Sequence, residues 1–380
     1  MKKIAFIGVS VLVVAMVLAG CAAPAAPTTP TTPTTPTTPT TPTEPTEPTE
    51  PTEPTEPEET FTFVYHCPWP PNQILCDIED LFLNNVEEKS GGRITFDRIY
   101  GGTLGDLTVQ PEQIQNRVFD IGQVSYVYSP GQYPLGCVTT LPGIEDDTHV
   151  WGPACHEASK TDPNLIAEYT ALNSVYLFTW GLEPMEIASH HPIEELEDFC
   201  GDRVRTHGGS TYAFDALAEA LGCTIAPTTV HWGELPVAGA EHVVDSACFP
   251  VPVTGRDAGL HTVFPYYITP FPVYQFHFAT AINMDAFNEL PPDLQDIMLE
   301  CADEAVQDGL DYLDGKIAGG LQDLEDVGVI TIDFPASEMQ RFRDLACTPV
   351  WADWIADMEA EGLPGQAVFD NFTAILASMR

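Results

Sequence analysis

Basic side chains are scarce in this sequence: 14 Lys and Arg stand against 56 Asp and Glu, a formal net charge of −42. A surface so negative repels phosphate backbones and anionic headgroups, which excludes nucleic acid and charged lipid faces as partners. The motifs of common enzymes are missing too. No G-x-S-x-G turn presents a nucleophilic serine, no H-E-x-x-H pair sits on a helix, and no glycine-rich loop ending in Gly-Lys can cradle phosphates. His190 and His191 are adjacent, so a helix would not turn both rings toward one ion. No C-x2-C or H-x3-H pair supplies a zinc site either, and neither metal nor cofactor is expected. Glu183 and Glu186 are spaced for one helix face, but two acids in so acidic a chain read as solvated surface.

What is present begins with a leader. Lys2 and Lys3 precede the apolar run IAFIGVSVLVVAMVLAG, the grammar of a secretory signal over residues 1–20. Its end, Leu18-Ala19-Gly20-Cys21, resembles a prokaryotic lipobox, which implies cleavage before Cys21 and lipidation of that cysteine. The alternative is an uncleaved transmembrane anchor. In both cases the remainder is extracytoplasmic. Residues 21–59 hold a tract of PTT and then PTE triplets. Proline at every third position favours an extended polyproline II stalk, with a reach on the order of 100 Å at ~3.1 Å per residue. Beyond it, enough apolar sequence remains for two lobes. Cys21 aside, the cysteines are odd in number, so one at least stays free or pairs between chains. Cys67–Cys76, Cys137–Cys155 and Cys200–Cys223 are expected as local bridges, with Cys301–Cys347 a more distant one.

Periodicity divides the rest. TFTFVYH (60–66) alternates as a strand, and Ile74, Ile78, Leu81, Phe82 and Val86 then share one helical face. A strand over 93–100, a helix over 109–119 and a strand over 120–128 complete a β-α-β-α-β series, the signature of an α/β lobe with a largely parallel sheet. The plan recurs after residue 185: strand 202–207, helix 210–222, a strand and a short helix, then strand 243–251. Residues 291–328 read as a long helical segment interrupted by glycine, followed by the strand VITIDF and two more helices. Lobe one is thus expected over 60–185 and lobe two over 186–275, with 276–380 spanning the hinge and completing both.

In so acidic a chain, CGDRVRTHGG (200–209) stands out for placing two arginines one residue apart. In open α/β sheets ligands bind beyond the carboxyl ends of the strands, where Arg205 falls. The following helix, capped by Ser210 or Thr211, would add unpaired N–H groups, and Gly208 and Gly209 would let the backbone approach a ligand. A guanidinium fork holds a carboxylate by two parallel bonds. Arg203 is instead expected to pair with a surface acid, Glu194, Glu195, Glu197 or Asp198.

PIEELEDFCGDRVRTHGG resembles the signature segment of the extracytoplasmic solute receptors of tripartite ATP-independent periplasmic (TRAP) transporters. NNVEEKSGGRITFDRIYGGTLGD, RVFDIGQVSYVYSPGQYPLGCVTTLPG, LAEALGCTIAPTTVHWGELPVAGAEHVVD and NELPPDLQDIM resemble further segments of that family in the same order, over about residues 60–330. The resemblance implies a two-lobed, periplasmic-binding-protein-like (type II) α/β fold with a hinge, an interlobe cleft and a helical C-terminal segment. It implies that Arg205 is the carboxylate clamp and that membrane permease subunits receive the ligand. Two departures matter. WGLEPMEIASHHPI carries no arginine where many members have one. Where calcium-dependent members have Glu-Trp, Cys248 and Phe249 stand here, implying no calcium and an apolar wall from Phe249.

Strand ends supply the other candidates: Tyr65 and Trp69 after the first strand, Ser125 and Tyr126 after the third, Trp180 before the crossover, and Trp232 and Glu234 on the short helix. The sequence reads as a lipid-tethered receptor for a small organic acid. A sensor that feeds a signalling system and a tethered hydrolase are the alternatives.

Overall fold

The computed structural model describes residues 59–71 and 73–380. The leader, the body of the tether and Cys21 lie outside the described residues. The chain opens with β1 (Phe61–Cys67), α1 (Ile74–Lys89), β2 (Ile94–Tyr100), α2 (Gln110–Gln115), β3 (Ile121–Val124), α3 (Thr148–Thr161), α4 (Pro163–Ala171) and β4 (Ser174–Gly181). It continues through β5 (Met185–Ser189), β6 (Arg203–Thr206), α5 (Gly209–Leu221), β7 (Ala226–Thr229), α6 (Leu235–Ala240), β8 (Ser246–Pro250) and β9 (Tyr266–Thr269). The last elements are β10 (His277–Asn283), α7 (Met284–Glu289), α8 (Pro292–Asp326), β11 (Ile330–Asp333), α9 (Ala336–Phe342), α10 (Thr348–Ala360) and α11 (Gly365–Ser378).

Two sheets result. The first has the order β2-β1-β3-β10-β4, with β1, β2 and β3 parallel as the β-α-β-α-β series predicts. β10 runs antiparallel to both β3 and β4, its neighbours on either side, so the sheet is mixed. The second has the order β11-β9-β5-β8-β6-β7, with β6 parallel to both β7 and β8. The chain crosses between sheets after β4 and returns after β9, and the two crossings run side by side. Met185 N donates to Tyr274 O at 3.0 Å, and Val273 N donates to Met185 O at 2.8 Å.

Several elements differ from the sequence reading. β3 ends at Val124 and residues 126–128 turn, so the strand is shorter than 120–128. α8 is one helix of 35 residues, not a segment broken by glycine. It packs on α1 and β4 and on the turn at Val251–Gly255. Gly320 makes the last contact possible: a Cβ there would stand 2.1 Å from the carbonyl oxygen of Pro252. Glu183 and Glu186 are not a solvated helix face. They lie at the crossover and in β5, both buried. Glu186 accepts from Thr269 Oγ1 and Phe271 N, while Glu183 accepts from Val253 N and Thr254 N, both at 2.8 Å.

Of the four cysteine pairings, Cys67–Cys76 and Cys200–Cys223 are disulfides. Cys137, Cys155, Cys301 and Cys347 are thiols, as is Cys248. Cys155 faces the cluster between α3 and α11, whereas Cys137 packs against a separate cluster of tyrosines, which keeps that pair apart.

The core of the first lobe contains a carboxylate. Glu79, fully buried on α1, accepts hydrogen bonds from Tyr65 Oη, from Gln123 Nε2 at 2.8 Å and from Thr280 Oγ1 at 2.5 Å. Burial pushes its pKa up to about 7, against the pull of those donors. An unfolded chain titrates the same group near 4.3, so the folded state holds the proton more tightly. The stability this proton confers is complete below about pH 4.3 and is lost as pH rises toward about 7, on the order of 3 kcal/mol. Glu79→Gln should therefore gain stability relative to the parent across that window, as read in paired urea melts from pH 4 to 8. A difference between the two proteins that does not change with pH contradicts the assignment.

Candidate ligand-binding cleft

The carboxyl ends of β1, β3, β6, β7 and β8 converge on one cleft between the sheets, as open α/β architecture favours. From the first lobe, Trp69, Leu75 and Tyr128 line it, together with Phe276 and Phe278 at the start of β10. From the second come Arg205, His207, Trp232, Pro250 and Thr254, while Leu182 and Met185 reach it from the crossover. The cleft is narrow, with a cavity volume of about 40 Å³, and opens to solvent.

Arg205 sits on β6 between β7 and β8 and is only 2 % exposed. Its Nη1 donates to Cys248 O at 2.8 Å and its Nε to Val230 O at 3.2 Å. The Trp232 ring centroid lies 6.0 Å from the guanidinium carbon, within cation–π reach. Among the described residues, Nη2 has no hydrogen-bond partner and no carboxylate lies within ion-pair distance. Burial pulls the pKa below the ordinary arginine range. The groups that oppose this are Tyr274, Tyr128 and Cys248, whose own pKa values burial raises, so that they stay neutral. A buried guanidinium still carries its proton. The result is a desolvated cation without a counter-ion, facing a cleft.

His207, two residues on, projects from the same side as β6 alternation requires. Arg205 Nη1 stands 3.3 Å from His207 Nδ1, and because arginine can only donate, Nδ1 is the acceptor. Burial and the neighbouring Arg205 hold the imidazole pKa well below its usual value, so the ring is neutral. Tyr274 Oη lies 3.3 Å from Nε2 and fixes the ring from behind.

The turn after β6 differs in detail from expectation. Gly208 is the residue before α5, and neither Ser210 nor Thr211 caps the helix. Ser210 Oγ accepts from His207 N at 3.1 Å and donates to His207 O at 2.7 Å. The two glycines admit close packing of the lobes. A Cβ on Gly208 would meet Val127 at 2.7 Å, and one on Gly209 would meet Thr140 O at 2.6 Å.

Arg205, Trp69 and Trp232 therefore come together. The other candidates do not reach the cleft. Phe249 follows Cys248 on β8 and alternates away from the cleft-facing Pro250, packing behind Trp232 and against Phe264. Tyr126 stacks on His277 at 3.9 Å and bonds Tyr169 in the tyrosine cluster, because the strand ends at Val124 and the turn sends Tyr128 to the cleft instead. Ser125 donates to His277 O. Trp180 stacks on Phe278 at 4.3 Å and Tyr65 bonds Glu79, each one layer behind the wall. Glu234 is exposed on the outer surface. Arg203 does take a surface acid, but that acid is Asp245 at 2.8 Å, the neighbour across β8 and not one in PIEELEDF.

His207 was legible from its i+2 relation to Arg205. Phe276 and Phe278 had no local signal, because the return crossover brings them back from far along the chain.

The sequence model of the bacterial extracellular solute-binding proteins of family 7 matches residues 68–357. Solved structures share the fold. A TRAP periplasmic solute binding protein from Desulfovibrio salexigens superposes with a TM-score of 0.73 at 22% identity, covering 83% of this chain and 96% of its own. A TRAP solute binding protein from Rhodoferax ferrireducens, in complex with copurified benzoate, gives 0.72 at 22% identity, with 84% and 98% covered. A Bordetella pertussis extracytoplasmic solute receptor binding pyroglutamic acid gives 0.70 at 21% identity, with 82% and 99% covered. With every strand but β1 inside the matched span and a solvent-open cleft between the sheets, the chain belongs to the family 7 bacterial extracellular solute-binding proteins, the receptor subunits of TRAP transporters.

Proposed function

We propose that this receptor is anchored by a lipid on Cys21, captures a small organic carboxylate on Arg205 and hands it to TRAP permease subunits in the membrane. The observation that carries the clamp is the missing counter-ion of Arg205. Burying a charge without a partner is costly, and the cost is offset when an anion arrives. A carboxylate oxygen at Nη2 would supply that anion, and closure of the lobes would strengthen the pair by excluding water. The related structures carry benzoate, pyroglutamic acid, orotic acid and β-D-galacturonate, all of them carboxylic acids. The paired crossovers at Met185 and Tyr274 are the hinge in this reading, with residues 60–185 and 186–275 as the two moving parts and 276–380 completing both. Affinity in the micromolar class, about −8 kcal/mol, suits capture followed by release.

Arg205→Ala should weaken acid binding by about a hundredfold or more, the loss of a charge-assisted pair, while the melting temperature of the empty protein stays close to that of the parent. Calorimetric titration with the best acid from a thermal-shift screen measures it, and retained affinity refutes the clamp. Gly209→Ala should force the turn after β6 away from Thr140 and weaken binding about tenfold with Arg205 intact. An unchanged affinity would show that this approach of the lobes is irrelevant to capture. For the anchor, Cys21→Ser should move the protein from the membrane fraction to the soluble fraction. A membrane-bound variant would favour the uncleaved span instead.

A further inference from the structure

We infer that the cleft selects an aromatic monocarboxylate, an acid with one negative group on a flat apolar body, over dicarboxylates and sugar acids. This rests on the reading of Arg205 as the clamp and adds what the rest of the cleft demands of the ligand.

Arg205 is the only cation among the residues that line the cleft, and His207 is held neutral beside it. A second carboxylate would be desolvated with nothing to pair it, inside a protein whose overall charge already repels anions. Dicarboxylates are disfavoured on charge alone.

Much of the rest of the wall is aromatic, with Leu75, Leu182 and Met185 among the rings. Trp69 and Phe278 line the cleft from the first lobe and Trp232 from the second, so rings border it from both sides. Each is held in place from behind. Trp69 Nε1 donates to Gln123 Oε1 at 3.1 Å, and Gln123 is itself fixed by Glu79. Phe278 stacks on Trp180 with an interplanar angle of 8°. Trp232 meets Phe249 edge-on at 6.1 Å. Aromatic rings favour such stacked and edge-on neighbours, so a ligand ring gains from the same geometry.

Polar atoms are few. The Thr254 hydroxyl already faces Glu183 Oε2 at 3.5 Å, and Nδ1 of His207 is engaged by Arg205. A sugar acid would bury several hydroxyls with no partners for most of them, and an unmet hydrogen bond discriminates strongly.

The test is calorimetric titration of purified full-length protein with benzoate, phenylacetate, succinate and galacturonate, repeated on Arg205→Ala and Trp232→Ala. Benzoate or phenylacetate should bind at least about a hundredfold more tightly than the other two acids. Trp232→Ala, a change at a partly buried position, should weaken the ring acid about tenfold. If succinate or galacturonate binds as well as the ring acids and Arg205→Ala abolishes it, the clamp stands and this selection is wrong. If the ring acids bind equally to Arg205→Ala, the clamp itself fails and the inference goes with it. If neither ring acid binds at millimolar concentration, the inference is overturned.

Discussion

One guanidinium is buried without an opposite charge, and much of the surrounding structure exists to keep it there. β6 holds the Arg205 backbone between two parallel neighbours, and the carbonyls of Cys248 and Val230 take two of its donors. Those carbonyls orient the fork without neutralising it. A carboxylate in their place would have neutralised it. The contrast with Arg203 makes this plain. Two positions earlier on the same strand, it is exposed and ion-paired to Asp245. With 56 acidic residues in the chain, Arg205 still has no carboxylate within ion-pair distance among the described residues.

Around that charge the cleft is supported in layers. The residues that touch the cavity are backed by residues that fix them: Gln123 and Glu79 behind Trp69, Trp180 behind Phe278, Tyr274 behind His207. Rings and forks set by a second layer lose less freedom when a ligand arrives, which is how a modest cavity can reach useful affinity. Glu79 belongs to this scheme, because a buried acid with its pKa raised to about 7 anchors Tyr65, Gln123 and Thr280 behind the wall.

Much of this was legible from residues alone, for physical reasons that also mark the limit. A strand end and a Gly-Gly turn placed Arg205 at the cleft, the end of β1 placed Trp69 there, and the short helix placed Trp232 there. The strand-end rule failed wherever the exact end of a strand decided the answer. β3 stops at Val124, so Tyr126 turns into the tyrosine cluster and Tyr128 into the cleft. On β8, a one-residue difference sends Phe249 behind the wall while Pro250 faces the cavity. Side-chain period is two in a strand, and an error of one residue reverses every assignment. Phe276 and Phe278 belong to a different limit, since only tertiary topology returns β10 to the middle of the first sheet. The cysteines show it again: proximity in the chain found the two local bridges but could not see that Cys137 and Cys155 face separate clusters.

Met185 has a double position that carries a mechanical consequence. It lines the cavity, and its backbone bonds across to Val273 and Tyr274 where the two crossing segments meet. In the receptor proposed above, the floor beneath a solute would also be the pivot of the two halves, so a thicker solute would hold them at a wider angle than a thin one.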